Sequence, residues 1–318
     1  MEEAGAVKIY KLLAVMLAVT ALAAGCGQEE RSGRETQTEE TGGAGSSEQA
    51  GQTEPAEEAA DMTDGETVTN ALLPEELAQI PRGYFEESDS QGTLVELTYD
   101  TYESMSYEEQ DQVLKKRAIV YLPYGYSEDE QYNVFYLMHG GWSNETTYLG
   151  TPERPNEFKN VLDNGIADGK IRPMIVVCPT YNNESESDSS SYSLALRLTE
   201  NYHNELLGEL IPAVEGTYST YAEDTTAEGI RVSRDHRAFC GFSMGSVATW
   251  RTFQYCLDDF RYFLPSSGSL TADVEDGTFR YANNEKEGNL YFLEQEGGTH
   301  NGDYAMEYFY NGLCWIWQ

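Results

Sequence analysis

Basic residues, histidines and long apolar runs are all scarce in this chain of 318 residues. Lys and Arg number 20 against 55 Asp and Glu, for a formal charge of −35. Phosphate backbones are held by clustered Lys and Arg, so nucleic acid is excluded as a partner. The five cysteines, at 26, 178, 240, 256 and 314, form no C-x-x-C pair, and histidines number four. That leaves no zinc-ligand spacing, and no metal is expected. Cys178 and Cys240 sit in strand-like apolar runs, Cys256 and Cys314 in helix-like ones, where a thiol serves as a small core residue. The N-terminal apolar run, Leu12 to Ala24, is too short for a ~30 Å hydrocarbon core, which takes about 20 residues.

What the chain does have is apolar bulk: hydrophobic residues make up 40% and aromatics 12%. That is enough to bury the core of one large domain. The short run ahead of Cys26 follows Lys8 and Lys11 and ends in Leu22-Ala23-Ala24-Gly25-Cys26. A basic start, a short apolar middle and small residues before the cut define a secretory signal. With Cys at the cut, the segment resembles a bacterial lipobox, so residues 1–26 are expected to direct export. Lipidation of Cys26 is then expected to anchor the protein to the cell membrane, facing outward. Glu2 and Glu3 are out of place before a basic region, which points to translation starting near Val7.

Residues 27–82 are expected to form a linker. Through about Thr69 they are rich in Glu, Gln, Thr, Gly and Ser, too polar to offset the entropy of ordering. The domain proper is placed at 83–318. Strands are expected at 92–102, 116–124, 132–139, 174–178, 237–242, 262–265 and 289–294. Helices are expected at 194–214, 247–260 and 304–317. Strands alternating with helices imply a mostly parallel sheet with helices on both faces, an α/β fold.

Gly241-Phe242-Ser243-Met244-Gly245 is a G-x-S-x-G elbow, preceded by an apolar strand and followed by a helical pattern. Such a turn forces the serine into strained backbone and lifts its hydroxyl above the sheet, beside a helix N-terminus that favours negative charge. Ser243 is therefore the expected nucleophile. An oxyanion hole needs two backbone N–H groups. Met244 offers one, and Gly141, in His139-Gly140-Gly141-Trp142, offers the other. Chain order in elbow folds runs serine, acid, histidine, and His300 alone follows Ser243. It is the expected general base and acid. His139, His203 and His236 are read as structural, and the polar stretch 181–193 as a solvated loop.

From about Gly92 to Trp317 the domain resembles the feruloyl and acetyl-xylan esterases, the esterase D-like carbohydrate esterase family 1 of the α/β-hydrolase superfamily. The resemblance rests on YLMHGGWSNE (136–145), TTAEGIRVSRDHRAFCGFSMGSVATW (225–250), YFLPSSG (262–268) and GNLYFLEQEGGTH (288–300). It implies removal of ferulate or acetate from plant cell-wall polysaccharide without a cofactor. Family members carry a further strand and crossover helix before the histidine strand, with the triad Asp in a Gly-Thr-x-Asp setting. Here Ser269 to Gly288 alone joins the two segments, and Arg280 stands where that Asp would be. A single parallel crossover already takes about a dozen residues. One late strand and its helix are thus expected to be lacking. No residue carries over as the acid, and Asp273, Asp276 and Glu296 are the available substitutes. An active esterase, a catalytically impaired surface-binding protein and an acyltransferase are the functions to separate.

Overall fold

Every residue of the strand Asn133–Met138 after the first is buried, because both of its faces are covered. In the computed structural model, which describes residues 76–108, 110–268 and 291–318, this strand lies near the centre of a six-stranded sheet. In chain order the strands are β1 (Thr93–Thr101), β2 (Leu114–Leu122), β3 (Asn133–Met138), a small hairpin of β4 (Gly150–Thr151) and β5 (Arg154–Pro155), then β6 (Met174–Cys178), β7 (Arg237–Phe242) and β8 (Tyr262–Ser266). The sheet runs β1-β2-β6-β3-β7-β8. β1 and β2 pair antiparallel, as do β2 and β6, while β6, β3, β7 and β8 are mutually parallel. This is the mostly parallel α/β sheet expected.

Side chains alternate across the sheet, and so they divide into two cores. Val134, Tyr136 and Met138 face one layer with Phe239, and Phe135 and Leu137 face the other with Cys240. The helices are α1 (Glu157–Ala167), α2 (Tyr192–Glu205), α3 (Ile211–Glu215), α4 (Ala227–Val232), α5 (Met244–Tyr255) and α6 (Gly302–Trp315). The first layer is covered by α2, α3 and α5, through Leu198, Tyr202, Val214 and Val247. The second is covered by α1 and α6, through Phe158, Leu162, Phe309 and Leu313. Between α2 and α3 the helix widens into a π turn at Leu206–Leu210. Pro212 supplies no N–H there and its ring crowds the preceding turn, so the ladder shifts register instead of breaking.

Buried ion pairs brace the layers. Arg237 Nε and Nη2 reach the Glu215 carboxylate at 2.6 and 2.9 Å, and Nη1 donates to the carbonyls of Ile230 and Asp259. On the other side of β3, Lys116 meets Glu205 at 2.7 Å, and Glu205 also accepts from Tyr99 Oη at 2.6 Å. Each charge buried in this way is matched and hydrogen-bonded, the condition under which burial is tolerated. Cys178, Cys240, Cys256 and Cys314 are free thiols.

Three sequence expectations change. Residues 291–294 of the segment read as a strand at 289–294 are irregular, with Tyr291 and Phe292 exposed. Among the described residues this segment pairs with no strand, and an extended segment needs such a partner to form a ladder. The helix placed at 247–260 begins at Met244, because the Ser243 carbonyl already accepts from the N–H groups of Ser246 and Val247 at 2.9 and 3.2 Å. Helix α1 was not anticipated. At the N-terminal end, the chain is packed from Ala78, whose N–H and C=O both bond the Asn311 side chain of α6 at 2.9 and 2.8 Å. The signal with Cys26, the linker up to residue 75, and the candidate acids Asp273 and Asp276 lie outside the described residues.

Candidate active site

Steric closeness makes the elbow. A Cβ on Gly241 would lie 2.3 Å from the Gly245 carbonyl oxygen, and one on Gly245 would lie 2.4 Å from that of Met138. β7, α5 and β3 thus meet backbone to backbone, and only hydrogen fits at either glycine. Between them Ser243 is held at φ 58°, ψ −116°. Such backbone costs a non-glycine residue about 1–3 kcal/mol and persists where the surroundings over-determine it. Trp142 (φ 55°) and Ser267 (φ 53°), in the loops after β3 and β8, also have positive φ.

The loop after β3 rests on the elbow. A Cβ on Gly140 would stand 3.4 Å from that of Ser243, whereas one on Gly141 would meet nothing nearer than the Ser189 carbonyl oxygen at 3.5 Å. Met244 opens α5, so its N–H is one of the four without a partner inside the helix. His139 anchors the loop from beneath. It is 1% exposed, stacks on Tyr181 with centroids 4.5 Å apart, donates from Nδ1 to the Gly140 carbonyl, and accepts at Nε2 from Thr180. Burial lowers its pKa to about 4, so the ring is neutral. His203 and His236 lie away from the elbow, stacked on Tyr255 and Tyr221.

The stretch 181–193 does more than meet solvent. Trp142 N–H donates to the Ser189 carbonyl at 3.0 Å, Ser189 Oγ donates to the Ser143 carbonyl at 2.7 Å, and Asn182 Nδ2 donates to the same carbonyl at 3.1 Å. Sequence alone suggested only a run of polar residues. The signal it held was Ser and Asn spaced to clamp a neighbouring backbone, which becomes visible once the two loops are adjacent.

His300 arrives from the irregular segment before α6. Its Nε2 lies 2.9 Å from Ser243 Oγ, and its ring stacks on Phe242 with centroids 4.5 Å apart. Partial burial lowers its pKa. The next residue, Asn301, caps α6 by accepting from the N–H groups of Asp303 and Tyr304, both at 3.1 Å. That cap fixes the chain direction just beyond the imidazole. Nδ1 of His300 faces Ser267 Oγ at 3.0 Å. Among the described residues no carboxylate is hydrogen-bonded to His300, and Glu296 is exposed. Ser243 and His300 are therefore brought together, with Met244 and the 139–141 loop beside them, while Glu296 is not. Phe242 and Ser267 complete the arrangement and were not foreseen.

A strained serine with an imidazole at hydrogen-bond distance, above the carboxyl ends of a mostly parallel sheet, defines a serine hydrolase of the α/β-hydrolase class. The Esterase family model matches residues 114–271. Endo-1,4-beta-xylanase Y of Acetivibrio thermocellus is 34% identical over 245 residues, taking in 62% of this chain and 21% of its own length. The alignment is longer than that share of this chain, so the relative carries residues that have no counterpart here. An endo-1,4-beta-xylanase/feruloyl esterase of Xylanibacter ruminicola is 36% identical over 139 residues, 42% of this chain and 16% of that protein. The chain thus spans about a fifth or less of these two curated relatives. A serine-to-alanine mutant of the feruloyl esterase module from Clostridium thermocellum, complexed with sinapinate, superposes with a TM-score of 0.62 at 30% identity, covering 76% of this chain and 93% of that one. The chain belongs to the feruloyl esterase family of carbohydrate esterases and is a carboxylic ester hydrolase of the serine class.

Proposed function

We propose that the domain hydrolyses feruloyl or acetyl esters on plant cell-wall polysaccharide through an acyl-enzyme on Ser243. The carrying observation is the 2.9 Å approach of His300 Nε2 to a serine held at φ 58° on the elbow. Ser243 Oγ bonds to the ester carbonyl carbon as its proton passes to His300 Nε2. The carbonyl oxygen becomes an oxyanion facing the N–H groups of Met244 and Gly141. Collapse breaks the bond to the sugar oxygen, which leaves with the proton from His300. Water then yields a proton to His300 as its oxygen bonds to the acyl carbon. The carboxylic acid departs, and Ser243 recovers its hydrogen.

The substrate class is supported by the xylanase and feruloyl esterase names of the relatives. It is supported too by Trp142, 74% exposed beside the loop that offers Gly141. An exposed aromatic face stacks on a phenolic or sugar ring. Export and a lipid anchor at Cys26 rest on the Leu-Ala-Ala-Gly-Cys sequence alone, and they would place the enzyme where insoluble polysaccharide is met. Hydrolysis of p-nitrophenyl acetate and methyl ferulate by the full chain tests the reading. Ser243→Ala should lower kcat by at least about 10⁴. Equal rates for wild type and variant would sink it in favour of an impaired, polysaccharide-binding surface protein.

A further inference from the structure

We propose that Ser267 is the positioning residue of His300, a hydroxyl doing the work that a carboxylate does in a serine–histidine–acid triad. The proposal rests on the esterase reading of Ser243 and His300 and adds the third member. Its first support is direct geometry: Ser267 Oγ lies 3.0 Å from Nδ1 while Nε2 lies 2.9 Å from Ser243 Oγ. For Nε2 to accept the Ser243 proton, Nδ1 must carry the ring hydrogen, so Ser267 Oγ must accept it. The tautomer of an imidazole follows the bond made by its other nitrogen.

The second support is how Ser267 is held. The carbonyl of Ser266 accepts the Ser243 N–H at 3.0 Å. On the other side, a Cβ on Gly268 would lie 2.3 Å from the Ser243 carbonyl oxygen. The residues flanking Ser267 therefore press against the nucleophile itself, and between them Ser267 takes φ 53°. Strain of this kind collects where a side chain must be aimed.

The third support is charge. Partial burial lowers the His300 pKa, and among the described residues no neighbouring anion acts to raise it. An acid partner would raise it. Phe242 stacks on the ring, Thr299 and Asn301 flank it, Ser243 and Ser267 take its two nitrogens, and none of these is ionised. A hydroxyl can donate as well as accept, so it fixes the tautomer less firmly than a carboxylate and does not stabilise the imidazolium. The wild-type enzyme should accordingly be slow, with the acid limb of kcat/KM below the ordinary imidazole value of about 6.5.

Ser267→Gly and Ser267→Asp in the full chain test this. Glycine suits φ 53° without strain, so the fold is kept while the hydroxyl goes. Aspartate tolerates that backbone better than most residues and supplies an anion at that position. Expected are a fall in kcat of about 10- to 100-fold for glycine with KM little changed, smaller than the ~10⁴ lost when a triad acid is removed. For aspartate, the acid limb should move up by about one unit with kcat restored to or above wild type. In parallel, ¹⁵N spectra of His300, assigned with His300→Gln, should show the Nδ1–H form in wild type and its loss in Ser267→Gly. Unchanged kcat and acid limb in both variants, or an unchanged tautomer in Ser267→Gly, overturns the proposal and points to an acid such as Asp273 or Asp276. The spectra decide this even if the wild type hydrolyses no ester, an outcome that would fault the esterase reading instead.

Discussion

Ser243 stands on backbone buried from below and on both sides, whereas His300 reaches it from a segment whose residues 296–302 are all exposed. Beneath the serine, β7 is buried for five of its six residues, and at its start Arg237 ties α3, α4 and the turn at Asp259 together. Around the histidine the restraints are a stacked phenylalanine, two hydroxyls and a helix cap. Ser243 is positioned by the fold, and His300 by a few local contacts. Elements with little burial open at low free energy, so the precision of the pair is set by the histidine side.

Breaking the firm side should give the largest effect. Arg237→Met strands the Glu215 carboxylate in the core and should lower unfolding free energy by about 3–5 kcal/mol, read from urea denaturation. Acid should weaken the same side through His139. Its folded pKa of about 4 lies below the unfolded value, so the unfolded chain takes up the proton first. The resulting stability is full above the ordinary imidazole pKa and is lost as pH falls towards the folded one. Between pH 7 and pH 5 the loss should be about 2 kcal/mol, and His139→Asn should flatten that part of the pH dependence. The loose side should respond in the opposite proportion. Asn301→Ala removes the α6 cap, which should cost about 1 kcal/mol or less globally. Its kcat should fall by more than that loss of stability explains, because the neighbouring His300 is freed. A melting shift as large as that of Arg237→Met would erase the contrast.

The same contrast decides what could be read from the sequence. The elbow was legible because its causes are local: Gly241 and Gly245 lie within one turn of Ser243, and the apolar strand RAFCGF leads straight into it. The central strands were legible because burial on both faces leaves continuous apolar runs. Helix α1 was missed although Phe158, Val161, Leu162 and Ile166 keep helical spacing. Its Lys159 and Asp163 look like a solvated face, yet they pair at 2.6 Å in the interior, where Asp163 also accepts from Tyr121 Oη at 2.8 Å. The contact of Ser267 with His300 joins residues 33 apart. A serine carries no mark that distinguishes an orienting partner from an ordinary turn residue, so a search for an acid passed over it. Residues 291–294 of the strand expected at 289–294 are irregular for a related reason: apolar composition alone does not create the hydrogen bonds to a neighbour that a strand needs.

The glycine contacts of the elbow also govern how such an enzyme can change. With backbone oxygens 2.3 and 2.4 Å from where side chains would begin at Gly241 and Gly245, the centre of the site admits no variation by substitution. Change can then be accommodated only outside that turn, as in the adjoining loop after β3, where Trp142 is exposed. Divergence within this scaffold should be written in the loops that frame the serine, with the turn that bears it passed on unaltered.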